Sequence, residues 1–92
     1  MQIIWSRRTT KSYLKTLEYI LQKWTIKEAE AFEKDVFAFI KTLLNNKLLC
    51  PVSKIMHLRK CVLSKQTSII YKVTGTSITL VALIDNRSKH TF

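Results

Sequence analysis

His57 and His90 are the only side chains in this sequence that ordinarily titrate near neutral pH. In a strand, His57 would share its face with Arg59 and Cys61, which would set a proton carrier beside a cation. The plainer reading of such a histidine is a surface or core side chain with a satisfied hydrogen bond. His90 lies near the end of a polar tail, where side chains are seldom fixed. A second group is cationic. Arg59 and Lys60 fall mid-strand, Arg87 falls just past the last strand, and Tyr71 and Lys72 lie on the strand between them in sequence. If those strands are neighbours, the cations converge on one sheet face or rim as an anion-binding patch. Arginine would fork onto phosphate or carboxylate there. The alternative is a solvated or salt-bridged sheet edge guarded by lysine. Strand parity puts Tyr71 and Lys72 on opposite faces, so both cannot enter one site.

Other chemistries find little support. Asp85 is the only acid after position 35, which argues against paired-carboxylate catalysis and carboxylate metal sites. With one glycine in the chain, a glycine-rich phosphate loop or dinucleotide fingerprint cannot be built. Cys50 and Cys61 lack four-ligand zinc spacing with His57 and His90. A lone cysteine pair makes no disulfide scaffold, and a cytosol would keep both reduced. Buried or half-buried structural thiols are therefore expected, with no metal and no cofactor.

The chain has 92 residues, 16 basic and 6 acidic side chains, and a net charge of +10. That length suits one domain. The charge is uneven. Residues 1–53 hold nine basic and five acidic groups, net +4, whereas residues 54–92 hold seven and one, net +6. Such a field attracts phosphates or an acidic protein. The longest apolar runs, Val36 to Ile40 and Leu80 to Ile84, are five residues, too short for a membrane span. The first residues do not read as a signal peptide, so a cytoplasmic protein is expected.

The elements that must position these groups follow from periodicity. Gln2 to Trp5 reads as an edge strand, and Ser6 as a helix N-cap. Leu14, Leu17, Leu21 and Trp24 recur at helical spacing, with Tyr13 and Ile20 beside them. Thr25-Ile26-Lys27-Glu28 matches a capping box. The second helix it starts has Ala29, Phe32, Val36, Phe39 or Ile40, and Leu43 as its apolar stripe. Asn45 and Asn46 end that helix, and a loop carrying Pro51 follows. Lys54 to Leu63 and Ser68 to Thr74 suit strands. Gly75 marks a hairpin turn, and Ser77 to Ile84 is apolar on both faces, as a covered central strand requires. The fold class is α+β, a helical hairpin packed on a mainly antiparallel four-stranded sheet in the order β-α-α-β-β-β.

Several segments, taken in order, carry a resemblance. They are Ile3-Ile4-Trp5-Ser6, then Tyr13-Leu14 and Leu17-Glu18-Tyr19-Ile20 before Trp24, and Leu48-Leu49-Cys50-Pro51. Arg59-Lys60-Cys61-Val62, Ser68 to Val73, and Ile78 to Ile84 before Asp85-Asn86-Arg87-Ser88 complete the set. The set resembles the RelE/ParE superfamily of toxin–antitoxin toxins over about residues 3 to 89. The resemblance implies a small bacterial toxin held inactive in a hetero-oligomer with a cognate antitoxin encoded beside it. RelE-like members cleave mRNA on the ribosome, and ParE-like members poison DNA gyrase. Ser68 stands where the ribonucleases usually carry arginine, and the chain stops at Phe92 without their late tyrosine and terminal helix. These departures favour the ParE-like branch. For that branch no catalytic residues carry over, and Arg59, Lys60, Tyr71 and Arg87 are candidate binding groups. For a ribonuclease, Arg59, Lys60 and Arg87 would surround the phosphate and His57 would carry the proton. A non-enzymatic basic module is a third reading. No membrane partner is implied.

Overall fold

Ser6 closes the first strand and opens the first helix, and two hydroxyls fix the geometry of that junction. In the computed structural model, which describes residues 1–87 and 92, strand β1 (Gln2–Trp5) leads into helix α1 (Arg7–Lys23). The Ser6 hydroxyl accepts from the Thr9 backbone N–H at 3.1 Å, the capping bond its residue type predicts. Helix α2 (Ile26–Asn45) follows directly. The Thr25 hydroxyl caps it by accepting from Glu28 N–H at 3.3 Å. Strands β2 (Arg59–Val62), β3 (Thr67–Thr74) and β4 (Ser77–Asp85) complete the order.

The sheet runs β1-β4-β3-β2. Strands β2, β3 and β4 pair antiparallel, whereas β1 runs parallel to β4. The sheet is therefore mixed, with the first strand placed as expected at an edge. Gly75 turns the β3–β4 hairpin in the left-handed region at φ 55°, where a Cβ would strain the backbone.

A β-bulge divides β4. Ile70 pairs with Ala82 and Tyr71 with Leu80, which leaves Val81 unmatched. The extra residue shifts side-chain parity. Ile78, Leu80 and Leu83 pack toward the helices with Tyr13, Val36, Ile40, Leu43, Ile69 and Tyr71. Ala82 and Ile84 join Ile70 and Phe92 on the other face. Both faces of β4 are covered, as its sequence requires.

The bulge also anchors α1. Thr9 Oγ1 donates to the Leu80 carbonyl at 2.7 Å, and Ser6 Oγ donates to the Val81 carbonyl at 3.0 Å. This anchor sets the helix's rotation and corrects the expected apolar stripe. Thr9 and Tyr13 are buried, and Leu17 packs on the core. Leu14, Leu21 and Trp24 are 57%, 52% and 65% exposed instead. On α2 the expected stripe is the observed one: Ala29, Val36, Ile40 and Leu43 are buried, and Phe32 and Phe39 pack beside the core.

Two further expectations need correction. Residues 54–58 form a turn, so β2 is only its last part, Arg59–Val62. The chain doubles back there: Ser53 N–H donates to Leu58 O at 2.8 Å and Lys60 N–H to Pro51 O at 3.1 Å. His57 sits in that turn at φ 71°, so it shares no strand face with Arg59. The second correction concerns the thiols. Cys50 and Cys61 are joined as a disulfide, with Cα atoms 5.3 Å apart, a separation that suits a bridge. The return of the Pro51 loop along β2 brings them together, and no spacing rule applied to the sequence contains that return.

Candidate functional site

The predicted site residues among those described separate into four places. Arg59 pairs with Tyr71 across β2 and β3, so both side chains lie on the helix-facing side. The Arg59 Nη1 donates to the Cys50 carbonyl at 2.6 Å. Tyr71 is fully buried. Its hydroxyl accepts from Cys50 N–H at 3.3 Å and donates to the Lys47 carbonyl at 3.0 Å. Together these two side chains hold the 47–50 segment against the sheet.

Lys60 pairs with Ile70 and so lies on the opposite face. Arg87 lies beyond Asp85, which pairs with Thr67. Four positions of β3 separate Thr67 from Tyr71, about 13 Å at ~3.3 Å per residue. Arg87 grips Asp85 through Nε at 3.1 Å and Nη2 at 3.0 Å, and its N–H reaches the same carboxylate at 2.9 Å. These bonds hold the Asp85 carboxyl below its usual range and the Arg87 guanidinium above its own. His57 is exposed on its turn. His90 lies outside the described residues. The structure thus brings Arg59 and Tyr71 together and keeps Lys60, Arg87 and His57 apart from them.

Two surfaces remain with chemistry to offer. The first is the sheet face away from the helices. By register it presents Lys60 and Val62 of β2, Ser68, Ile70 and Lys72 of β3, and Ser77, Thr79, Ala82 and Ile84 of β4. No acid stands on those strand positions. Arg8 lies over the Phe92 ring at 5.2 Å, and that ring packs with Ile70, Ala82 and Ile84. The arrangement is an apolar centre bordered by cations, which suits a phosphate backbone or an acidic peptide.

The second is a cleft of about 480 Å³ between α1, the 64–67 turn and the end of β4. Ile20, Phe32 and Leu83 line it with Tyr19, Trp24, Lys15 and Arg87. Trp24, 65% exposed, forms the most open apolar part of this lining. A larger hollow on α2 has walls from that helix alone and encloses nothing. Among the described residues, no three His, Cys, Asp or Glu side chains gather as a metal site. No helix among them is long and apolar enough to cross a membrane.

No family model matches the sequence, and no curated protein sequence matches it. Solved structures do match. A chain of the chromosomal ParDE toxin–antitoxin system from P. aeruginosa superposes with a TM-score of 0.80 at 17% identity, covering 92% of this chain and 95% of that one. This chain has the RelE/ParE toxin fold. A copper-bound variant toxin from Helicobacter pylori superposes at 0.70 with 17% identity, covering 95% and 96% of the two chains. The YoeB dimer from Staphylococcus aureus superposes at 0.64 with 15% identity, covering 91% and 94%.

Within the RelE/ParE fold, sequence reasoning missed Arg8 and Lys15 as surface-forming cations, and it named Lys72 without joining it to Lys60 on one face. Lys72 carried a signal, because it shares even parity with Lys60. Using that signal needs the β2–β3 register, which the turn at 64–67 sets. Arg8 and Lys15 carried none, since their neighbours come from β4 and the chain end.

Proposed function

We propose that this chain is the toxin of a bacterial type II toxin–antitoxin system, acting in the cytoplasm and held inactive by a cognate antitoxin. The observation that carries the reading is the near-complete superposition on the ParDE chain at a TM-score of 0.80. The charge supports it, because a net +10 chain complements an acidic partner. The cleft beside Trp24 and Ile20 is where an amphipathic acidic segment of the antitoxin would seat. Apolar anchors would enter between α1 and β4, and carboxylates would face Lys15.

For the target, we favour DNA gyrase over the ribosome. Cleavage by a 2′-hydroxyl needs a proton acceptor and cations around one phosphate. Arg59, Lys60, Arg87 and His57 are spread over two sheet faces, a strand end and a turn, which supports a binding poison over a nuclease. The second reading is a ribosome-dependent ribonuclease that uses the acid-free face around Lys60 and Lys72. The non-enzymatic basic module predicts no toxicity at all.

Parallel pulse-labelling with thymidine and methionine after tight induction in bacteria tests these readings. The gyrase reading expects thymidine incorporation to fall first. Methionine falling first overturns it in favour of the ribonuclease. Accumulation of the protein without either fall overturns the toxin reading itself.

A further inference from the structure

The Cys50–Cys61 disulfide closes a short loop, with a sequence separation of 11, and that loop is the one that holds Arg59. We propose that this cysteine pair is a site of reversible thiol–disulfide exchange with a dithiol reductant, and that its oxidation state decides whether Arg59 is held against the loop or released to solvent. The inference stands on geometry and does not depend on the toxin reading.

The two sulfurs are not equivalent. Cys61 is 3% exposed within the core cluster, whereas Cys50 is half-buried and flanked by exposed Leu49 and Pro51. An incoming thiolate therefore reaches Cys50. Its attack forms a mixed disulfide with Cys50 and breaks the bond to Cys61, which leaves as thiolate and takes one proton. The reductant's second thiol gives up its proton and attacks its own sulfur in the mixed disulfide. Cys50 is released as thiolate and protonated. Two electrons pass from the dithiol, which becomes a disulfide, and the protein gains two thiols.

Opening the bond affects a local segment. Inside the ring, residues 51–57 are mostly exposed turn and loop, while the core cluster that Cys61 joins is built mainly from α2, β3 and β4. Local opening of this kind leaves the rest of a fold intact. Arg59 is coupled because its guanidinium hydrogen-bonds the Cys50 carbonyl itself. Once Cys50 is untethered, that carbonyl is held through its neighbours, by the Tyr71 hydroxyl bond to Cys50 N–H, the Lys60 N–H bond to the Pro51 carbonyl and the Val52–Arg59 bridge.

The test uses the purified full chain in buffers of graded reduced-to-oxidised dithiothreitol ratio, a dithiol couple of graded potential. Alkylation and intact mass count the free thiols, and phenylglyoxal with peptide mapping reads arginine accessibility. Arg7, exposed on α1, is the internal reference. The proposal expects zero thiols to give way to two across the buffer series. It also expects the Arg59 rate, relative to Arg7, to rise about five-fold or more on reduction, with near-UV circular dichroism preserved. A Cys50→Ser/Cys61→Ser variant should show the fast Arg59 rate at every potential. An Arg59 rate that does not follow the thiol count overturns the proposal and leaves a passive staple. So does a pair that stays oxidised or stays reduced throughout, or a loss of the folded spectrum on reduction.

Discussion

Replacing Tyr71 by phenylalanine isolates one hydroxyl. The ring stays in its fully buried position, so core packing is preserved. What is lost is the bond accepted from Cys50 N–H and the bond donated to the Lys47 carbonyl. Each neutral hydrogen bond contributes about 0.5–1.5 kcal/mol net. Lys47 is exposed and Cys50 half-buried, so water can reach part of what is left unpaired, which keeps the penalty near the middle of the summed range. We expect Tyr71→Phe to cost about 2 kcal/mol, or about 8–16 °C in midpoint for a domain of this size. Urea unfolding of the oxidised full chain, followed by tryptophan fluorescence, measures this. The slope should stay constant so that the midpoint reports stability. Tyr19→Phe, at an exposed position, is the control and should leave the midpoint unchanged. A Tyr71→Phe midpoint equal to wild type would refute the reasoning, because it would mean that the hydroxyl does not fasten the 47–50 segment.

Further outcomes follow from the same structure. Leu43→Ala, at a position with no exposure, should cost about 3–5 kcal/mol by transfer and cavity terms, read by urea titration. Reducing the disulfide, with its separation of 11 residues, should lower stability by about 3 kcal/mol on the loop-entropy account, read by titrations with and without dithiothreitol. Burial first, then the Glu33 carboxylate 3.2 Å away, hold the Tyr13 hydroxyl above its usual range. Its folded value exceeds its unfolded one, so the stability it contributes is complete below about pH 10 and is lost as pH rises through the folded value. Tyr13→Phe should flatten the decline of the urea midpoint in that alkaline window. Trp24→Ala, at a 65% exposed side chain, should shift stability by less than about 0.5 kcal/mol. If the cleft seats the antitoxin, co-expression with the cognate antitoxin should rescue growth less well for that variant.

What the sequence made legible is what short-range chemistry decides. Ser6 and Thr25 announced both helix starts because capping is a bond between neighbours. Gly75 announced the hairpin for the same reason. The α2 stripe was readable because Phe32, Val36, Phe39, Ile40 and Leu43 all pack on one core. The α1 stripe was misread because Leu14, Leu21 and Trp24 have the right spacing but the wrong phase. Phase is set by Thr9 reaching Leu80, a contact that no local pattern encodes. The same reason hid the parity change at Val81 and the pairing of Cys50 with Cys61. It also governs the site. Residue types alone named Arg59, Lys60, Tyr71 and Arg87, but register and bulge decide which of them share a face.

The parallel pairing of β1 with β4 has a consequence for the order of events during synthesis. Ser6 and Val81, which hydrogen-bond across this junction, stand 75 positions apart. Until the last strand has left the ribosome, β1 has no neighbour and α1 has no carbonyls on which to set its rotation. At ~5–20 residues per second, translating 92 residues takes about 5–20 s. For nearly all of that interval the nascent chain offers at most a helical hairpin without its sheet. Whatever this protein does with its sheet faces waits until β4 has emerged.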